Sequence, residues 1–210
     1  MLTKYHREIT HLALHPLFSE LALKTIIKAN IRQDRIAYMF HHDHIHFDGS
    51  AFASGFAYIA AQEVILLDAI NKQDYQAAQK AFGRITHSWQ DFYSHSNYVQ
   101  LWMEKTGETD ARAIIPNDMD IIHHSSLASG KNYGLIEFLA MVPVLSDCIV
   151  PYTPDDSHAK MNLDSPKSGK HFHFAYQAAL KKTGEIYEHT MQLLETNQVD
   201  SLNISGFTGK

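Results

Sequence analysis

The chain has 210 residues, 45 % of them apolar and 20 % charged, with 10 glycines and 6 prolines; this excludes a disordered chain and fits one domain with a sizeable core. A formal net charge of −5 argues against an extended nucleic-acid footprint built from Lys and Arg. The lone cysteine, Cys148, excludes an internal disulfide framework, whereas 15 histidines are a compositional anomaly that points to metal.

Helical periodicity begins at the N-terminus, with His6 in the first turn of a short helix through Ile9, Leu12 and Leu14 that Pro16 interrupts. The opening residues lack the apolar core of a signal peptide, and no uncharged run reaches the roughly 18 apolar residues of a spanning helix. The expectation is a soluble, cytoplasmic protein without a leader, for which any export needs a leaderless route. Ser19 is a suitable N-cap for a second helix through Leu23, Ile26 and Ile27, and Asp34 follows it. Residues 41–48 (His-His-Asp-His-Ile-His-Phe-Asp) read as an irregular segment dense in ligand-type side chains, too much histidine for packing alone.

A long helix is predicted over 51–71, and Asp74 caps the next, which is expected to run to about residue 104. Within it His87, Asp91 and His95 are spaced by four and share one face, interleaved with Trp89, Phe92 and Tyr93. From His87 to His95 the helix rises about 12 Å, too far for one ion but suited to two, with Asp91 offering an oxygen to each. The bland alternative is a polar face of satisfied histidines. Gly83 implies close approach to a neighbour, since in a helix it costs about 1 kcal/mol relative to Ala.

Residues 105–133 read as a polar connection whose His123-His124 pair is exposed, 134–145 as an apolar helix, and 146–170 as a loop carrying His158, Asn162 and Asp164. The last helix is expected over 171–195. No alternation supports a sheet, so the fold class is all-α: a single helical domain, 1–196, with a metal-binding cleft and a frayed tail, 197–210.

The run from Asn71 to Asp91 with His95 resembles the zinc-dependent phospholipase C and single-strand nuclease superfamily. Gln90-Asp-Phe-Tyr-Ser-His-Ser-Asn97, with His6-Arg-Glu-Ile-Thr-His-Leu-Ala-Leu14 and His46-Phe-Asp48, is similar to its HET-C-like branch. The resemblance implies two or three zinc ions in a helical cleft. Asp34, His46, His87 and Asp91 would bind the first, with Asp91 bridging, and His95 and His158 the second. There Asn162 departs from the acidic family pattern, and Asp164 is a substitute two residues on. His6 and Asp91 would serve a third ion, completed in secreted relatives by an N-terminal Trp amine. Asp48 and His44 are candidate partners orienting the ligating imidazoles.

Imidazole and oxygen donors without thiolate suit a hydrolytic zinc site, where paired ions activate water and no separate nucleophile is needed. The expected function is therefore a zinc-dependent phosphodiester hydrolase, phospholipase C-like, with Asp34 and Asp91 as its catalytic carboxylates. Its expected partners are a phospholipid or other phosphodiester and a membrane surface. Asn162 favours a non-catalytic, HET-C-like interaction protein instead. An HD-type phosphohydrolase built on His42-Asp43 leaves the His87–Asp91–His95 series unexplained.

Overall fold

The computed structural model describes residues 1–35, 42–140, 142 and 144–210. In chain order the helices are α1 (Thr3–Leu14), α2 (Glu20–Ile31), α3 (Asp43–His46), α4 (Phe52–Asn71), α5 (Tyr75–His95) and α6 (Tyr98–Thr106). They continue with α7 (Met119–Ile122), α8 (Leu135–Ala140), α9 (Ser146–Ile149), α10 (His158–Met161), α11 (Phe172–Thr196) and α12 (Ser201–Thr208). Among the described residues the only β features are two isolated bridges, Ser96 with Ser129 and Lys131 with Ser157, so the fold is all-α.

The central element is α5, with α2, α4 and α11 packed around it and α1 laid across α2 and α11. Its 21 residues include 15 that are buried, so its polar side chains must find partners inside the protein. The two expected caps are made: Ser19 accepts from the Ala22 N–H at 3.3 Å and Asp74 from the Ala77 N–H at 3.0 Å. Gly83 lies against the Ile26 carbonyl of α2, where a Cβ would collide with backbone, which accounts for glycine inside a helix.

The helix predicted to run to residue 104 is broken at Ser96, whose backbone is extended (φ −99°, ψ 164°). Asn97 restarts it by pairing with residue 128 in both directions, its N–H to the Ala128 carbonyl at 2.9 Å and its Oδ1 to the Ala128 N–H at 2.8 Å. Gly130 then passes between His95 and His158; its N–H reaches the His95 carbonyl at 3.1 Å, and a Cβ there would lie 2.5 Å from the His158 Cα. The apolar helix expected over 134–145 is shorter, ending at Ala140; Met141 and Pro143 lie outside the described residues, as does His41 of the 41–48 stretch. That stretch is not wholly irregular, because 43–46 form α3. The expected frayed tail contains α12, whose Phe207 is buried against Phe18 and Phe82.

One helix, α4, is long and apolar enough to cross a membrane, with a mean hydropathy of 1.3 over its most apolar window. In this fold it lies along α5 and buries one face, with a third of that window buried and Val64 and Ile65 exposed.

Candidate metal centre

The site sits where α1, the α2 terminus, the α3 turn, α5 and α10 converge. All seven ligands predicted from the sequence (His6, Asp34, His46, His87, Asp91, His95 and His158) come together there. Local backbone explains part of this convergence. Phe47 adopts a left-handed conformation (φ 58°), unusual for a bulky residue, and its ring enters an aromatic cluster with Phe52, Phe56, Trp89 and Phe92. The turn leaves its neighbours His46 and Asp48 on the opposite side, lining a cavity of about 200 Å³ with His95, His158 and Asp164.

In the inner half, His6, Asp34, His87 and Asp91 present donor atoms all within 4.8 Å of one another. His6 Nε2 is 3.0 Å from Asp91 Oδ1, and His87 Nε2 is 3.0 Å from Asp91 Oδ2 and 3.6 Å from Asp34 Oδ1. His46 Nδ1 also faces Asp91 Oδ2, at 2.8 Å. Asp91 thus offers its two oxygens to different imidazoles, the disposition expected of a bridging carboxylate.

Hydrogen bonding fixes the His6 ring. Thr183 donates its hydroxyl to the Ala179 carbonyl at 2.7 Å, so it can only accept from the Gln90 atom 3.0 Å away. That atom is therefore the Gln90 amide nitrogen, and Gln90 Oε1 points to His6 Nδ1 at 2.6 Å. Asn30 supports the same orientation by donating to Gln90 Oε1 at 3.1 Å and to Thr86, whose own proton goes to the Gly83 carbonyl. The proton of a neutral His6 then lies on Nδ1. Its Nε2 lone pair is fully buried and faces a carboxylate oxygen with no donor between them.

In the outer half, Asp48, His95 and His158 also fall within 4.8 Å of one another. Asp48 Oδ1 lies 3.2 Å from His95 Nδ1 and 2.9 Å from His158 Nδ1, and the His46 carbonyl is 3.0 Å from His95 Nδ1. Oxygen acceptors hold both Nδ1 atoms as donors, so Asp48 orients two rings whose Nε2 atoms turn to Asp164, at 3.1 and 3.7 Å. Asp164 occupies the acidic position that Asn162 leaves open. Asn162 instead caps α10, donating to the His158 and Ala159 carbonyls. His44 does not enter the site; its ring packs on His42 and Tyr58.

Electrostatics match a site built for positive charge. Burial opposes ionisation of Asp91 and Asp164, yet the surrounding cationic groups hold both carboxyls well below the usual range, and Asp48 likewise. Burial lowers His87 to about 4, keeping it a neutral donor. For His95 burial is outweighed by Asp91 and Asp48, which raise it to about 9. The Met1 α-amino group lies 2.6 Å from Asp91 Oδ1, 2.9 Å from Asp164 Oδ1 and 3.1 Å from His95 Nε2, a cation set among three candidate ligand atoms.

Two contributors were missed from the sequence. Gln90 reads as a helix polar residue until its partners are known. Glu137 was passed over as part of an apolar helix: it is buried beside His158, with Oε2 accepting from the Ala159 N–H at 3.0 Å and Oε1 unpartnered. A lone acid in Leu135-Ile-Glu-Phe-Leu-Ala140 was the available signal.

The fold and site define an all-helical domain with a buried histidine–carboxylate cluster. A family model described as the VWA7 N-terminal domain matches residues 12–122, just over half of the chain, and the chain belongs to that family. Among curated relatives, human von Willebrand factor A domain-containing protein 7 is 34 % identical over 82 residues and the mouse protein 32 % over 80. Each alignment covers 38 % of this chain and only 9 % of the relative's length. No solved structure matches the chain significantly.

This membership corrects the resemblance to the phospholipase C and nuclease superfamily and its HET-C-like branch. The matched region includes residues 83–97, the block on which that resemblance chiefly rested. The phospholipase C-like hydrolase function expected from it is overturned on the same ground, since the matched family and the curated relatives are those of von Willebrand factor A domain-containing protein 7.

Proposed function

We propose that this domain is a metal-binding helical module whose buried cluster holds two divalent ions, zinc foremost, as ties between distant segments of the chain. The observation that carries this reading is His6 Nε2, a buried lone pair held 3.0 Å from Asp91 Oδ1 by a hydrogen-bond network that places the ring proton on the other nitrogen. Two facing acceptors repel unless a cation lies between them, and a proton or a metal ion meets that need.

Charge balance accommodates metal. Asp34, Asp48, Asp91 and Asp164 bring four carboxylates into one site, offset in part by the Met1 α-amino group and the histidine protons, and divalent ions taking the place of those protons would carry the same charge. The inner ion would take His6, Asp34, His87 and Asp91, with His46 alongside. The outer ion would take His95, His158 and Asp164, with Asp48 orienting both rings. Imidazole with carboxylate and no thiolate suits zinc among common divalent ions.

Elemental analysis of untagged protein, purified without chelator in zinc-supplemented buffer, should give about two equivalents per chain, and removing them should clearly lower the melting temperature. Metal content near zero, or unchanged melting when metal has demonstrably left, overturns the reading.

A further inference from the structure

A second candidate site lies nearer the N-terminal end of α5, on the same helix face as the histidine cluster, where Gln76, Lys80 and Arg84 run alongside α2. A cavity of about 400 Å³ there is lined by Lys28 and Arg32 from the end of α2 and by Lys80 and Arg84 from α5, with Thr25 and Gln76 among its polar neighbours. No carboxylate lines it, and none of the four cations forms an ion pair among the described residues. In a chain with 23 acidic against 18 basic residues, this local composition runs against the whole.

The spacing sharpens the point. Lys24, Lys28 and Arg32 follow one another at intervals of four, as do Lys80 and Arg84. Like charges at that spacing destabilise a helix, and here Lys28 and Arg32 share one cavity with Lys80 and Arg84. The close contact of Gly83 with Ile26 keeps the rows near each other. Two of the cations are also positioned: Arg84 donates to the buried Gln62 at 3.2 Å and Lys80 to Gln76 at 2.7 Å. Guanidinium and ammonium donors that line one cavity without an internal counter-charge, three of them exposed to solvent and Arg84 half-buried, suit a compact, multiply charged oxyanion.

We infer that the cavity between α2 and α5 binds a phosphate group, carried either by a small soluble molecule or by an anionic lipid headgroup. The inference is independent of the metal reading, because none of the four cations belongs to the histidine cluster.

The test is calorimetric titration with inorganic phosphate at low ionic strength, alongside flotation with vesicles of phosphatidylcholine alone and of phosphatidylcholine with phosphatidic acid. The intact chain should bind phosphate or the phosphatidic acid vesicles but not phosphatidylcholine alone. Phosphate binding without vesicle binding identifies a soluble ligand; vesicle binding alone identifies a headgroup. The pair Arg32→Glu and Arg84→Glu should weaken binding at least tenfold. Lys167→Glu with Lys170→Glu, the same charge change at exposed positions elsewhere, should leave it within about twofold. Binding should also persist when chelator is present throughout, which separates this site from bound metal. Circular dichroism melting verifies folding, and Arg84→Gln, which removes charge without reversing it, replaces the double variant should that fail to fold. Binding to neither probe by the intact chain, or equal binding by the folded α2/α5 variant, overturns the proposal.

Discussion

Gln90 and His6, 84 positions apart in sequence, meet at 2.6 Å inside the core, and this contact decides which nitrogen of His6 faces Asp91. Gln90→Met keeps similar bulk but removes the acceptor for His6 and Asn30 and the donor for Thr10 and Thr183. Unpaired buried groups cost about 1–3 kcal/mol each, so unfolding in urea should show a loss of at least roughly 3 kcal/mol. Metal affinity should fall about 10–100-fold, as when an orienting partner of a ligand is lost. Unchanged metal affinity in the folded variant would show that His6 is not a ligand.

Asp91→Asn keeps the shape of the side chain and removes its charge. Because the two Asp91 oxygens face different histidines, this variant should lose at least one metal equivalent and much of the thermal stabilisation that metal confers. His44→Asn, outside the cluster, should retain both equivalents. Metal titration with melting in parallel distinguishes the two, and full occupancy in Asp91→Asn rules out a bridge.

The metal-free protein should be most stable near pH 6.5. His87 has its folded value lowered to about 4, so its contribution is complete above its unfolded value near 6.5 and is lost as pH falls through about 4. His95 is raised to about 9, so its contribution is complete below about 6.5 and is lost as pH rises through about 9. The depressed carboxyls of Asp91 and Asp164 steepen the acid limb. Melting temperature against pH in chelator should therefore fall on both sides, and zinc should flatten the alkaline limb by replacing the proton on His95. An alkaline limb unaffected by zinc counts against His95 as a ligand.

Gly83→Ala gains about 1 kcal/mol of helix propensity but drives a methyl into the Ile26 carbonyl. Overpacking against backbone should win, leaving a net loss of about 1–2 kcal/mol on denaturant unfolding. A stabilised variant would mean that α2 and α5 separate without cost.

The all-α class and the two capped helix starts were legible because Ser19 and Asp74 act locally. That seven candidate side chains lie near one another was also legible, through ligand-type residues at helical spacing and the flanking His6, Asp34, His46 and His158. What failed was whatever depends on contacts distant in sequence. Ser96 has nothing in its neighbourhood that announces a break; the stop comes from pairing with residues 128 and 129. By contrast, Asp164 was already offered by its place two residues beyond Asn162, and it faces the histidines because Asn162 is spent on capping α10. The family assignment failed for a related reason: a short run of histidines and carboxylates constrains local chemistry without specifying ancestry.

The span of the cluster along the chain bears on how the protein folds. Residues 1–6 meet 158–164 at the site, with Leu2 N–H bonded to the Asp164 carbonyl at 3.2 Å and His95 lying between. Closing a loop of that length comes late, because its entropy must be met before distant contacts compensate. The helices around α5 can assemble first from nearer neighbours, leaving site closure as the final step. Zinc added to refolding protein should then slow unfolding far more than it speeds folding, since its contacts are absent from the transition state.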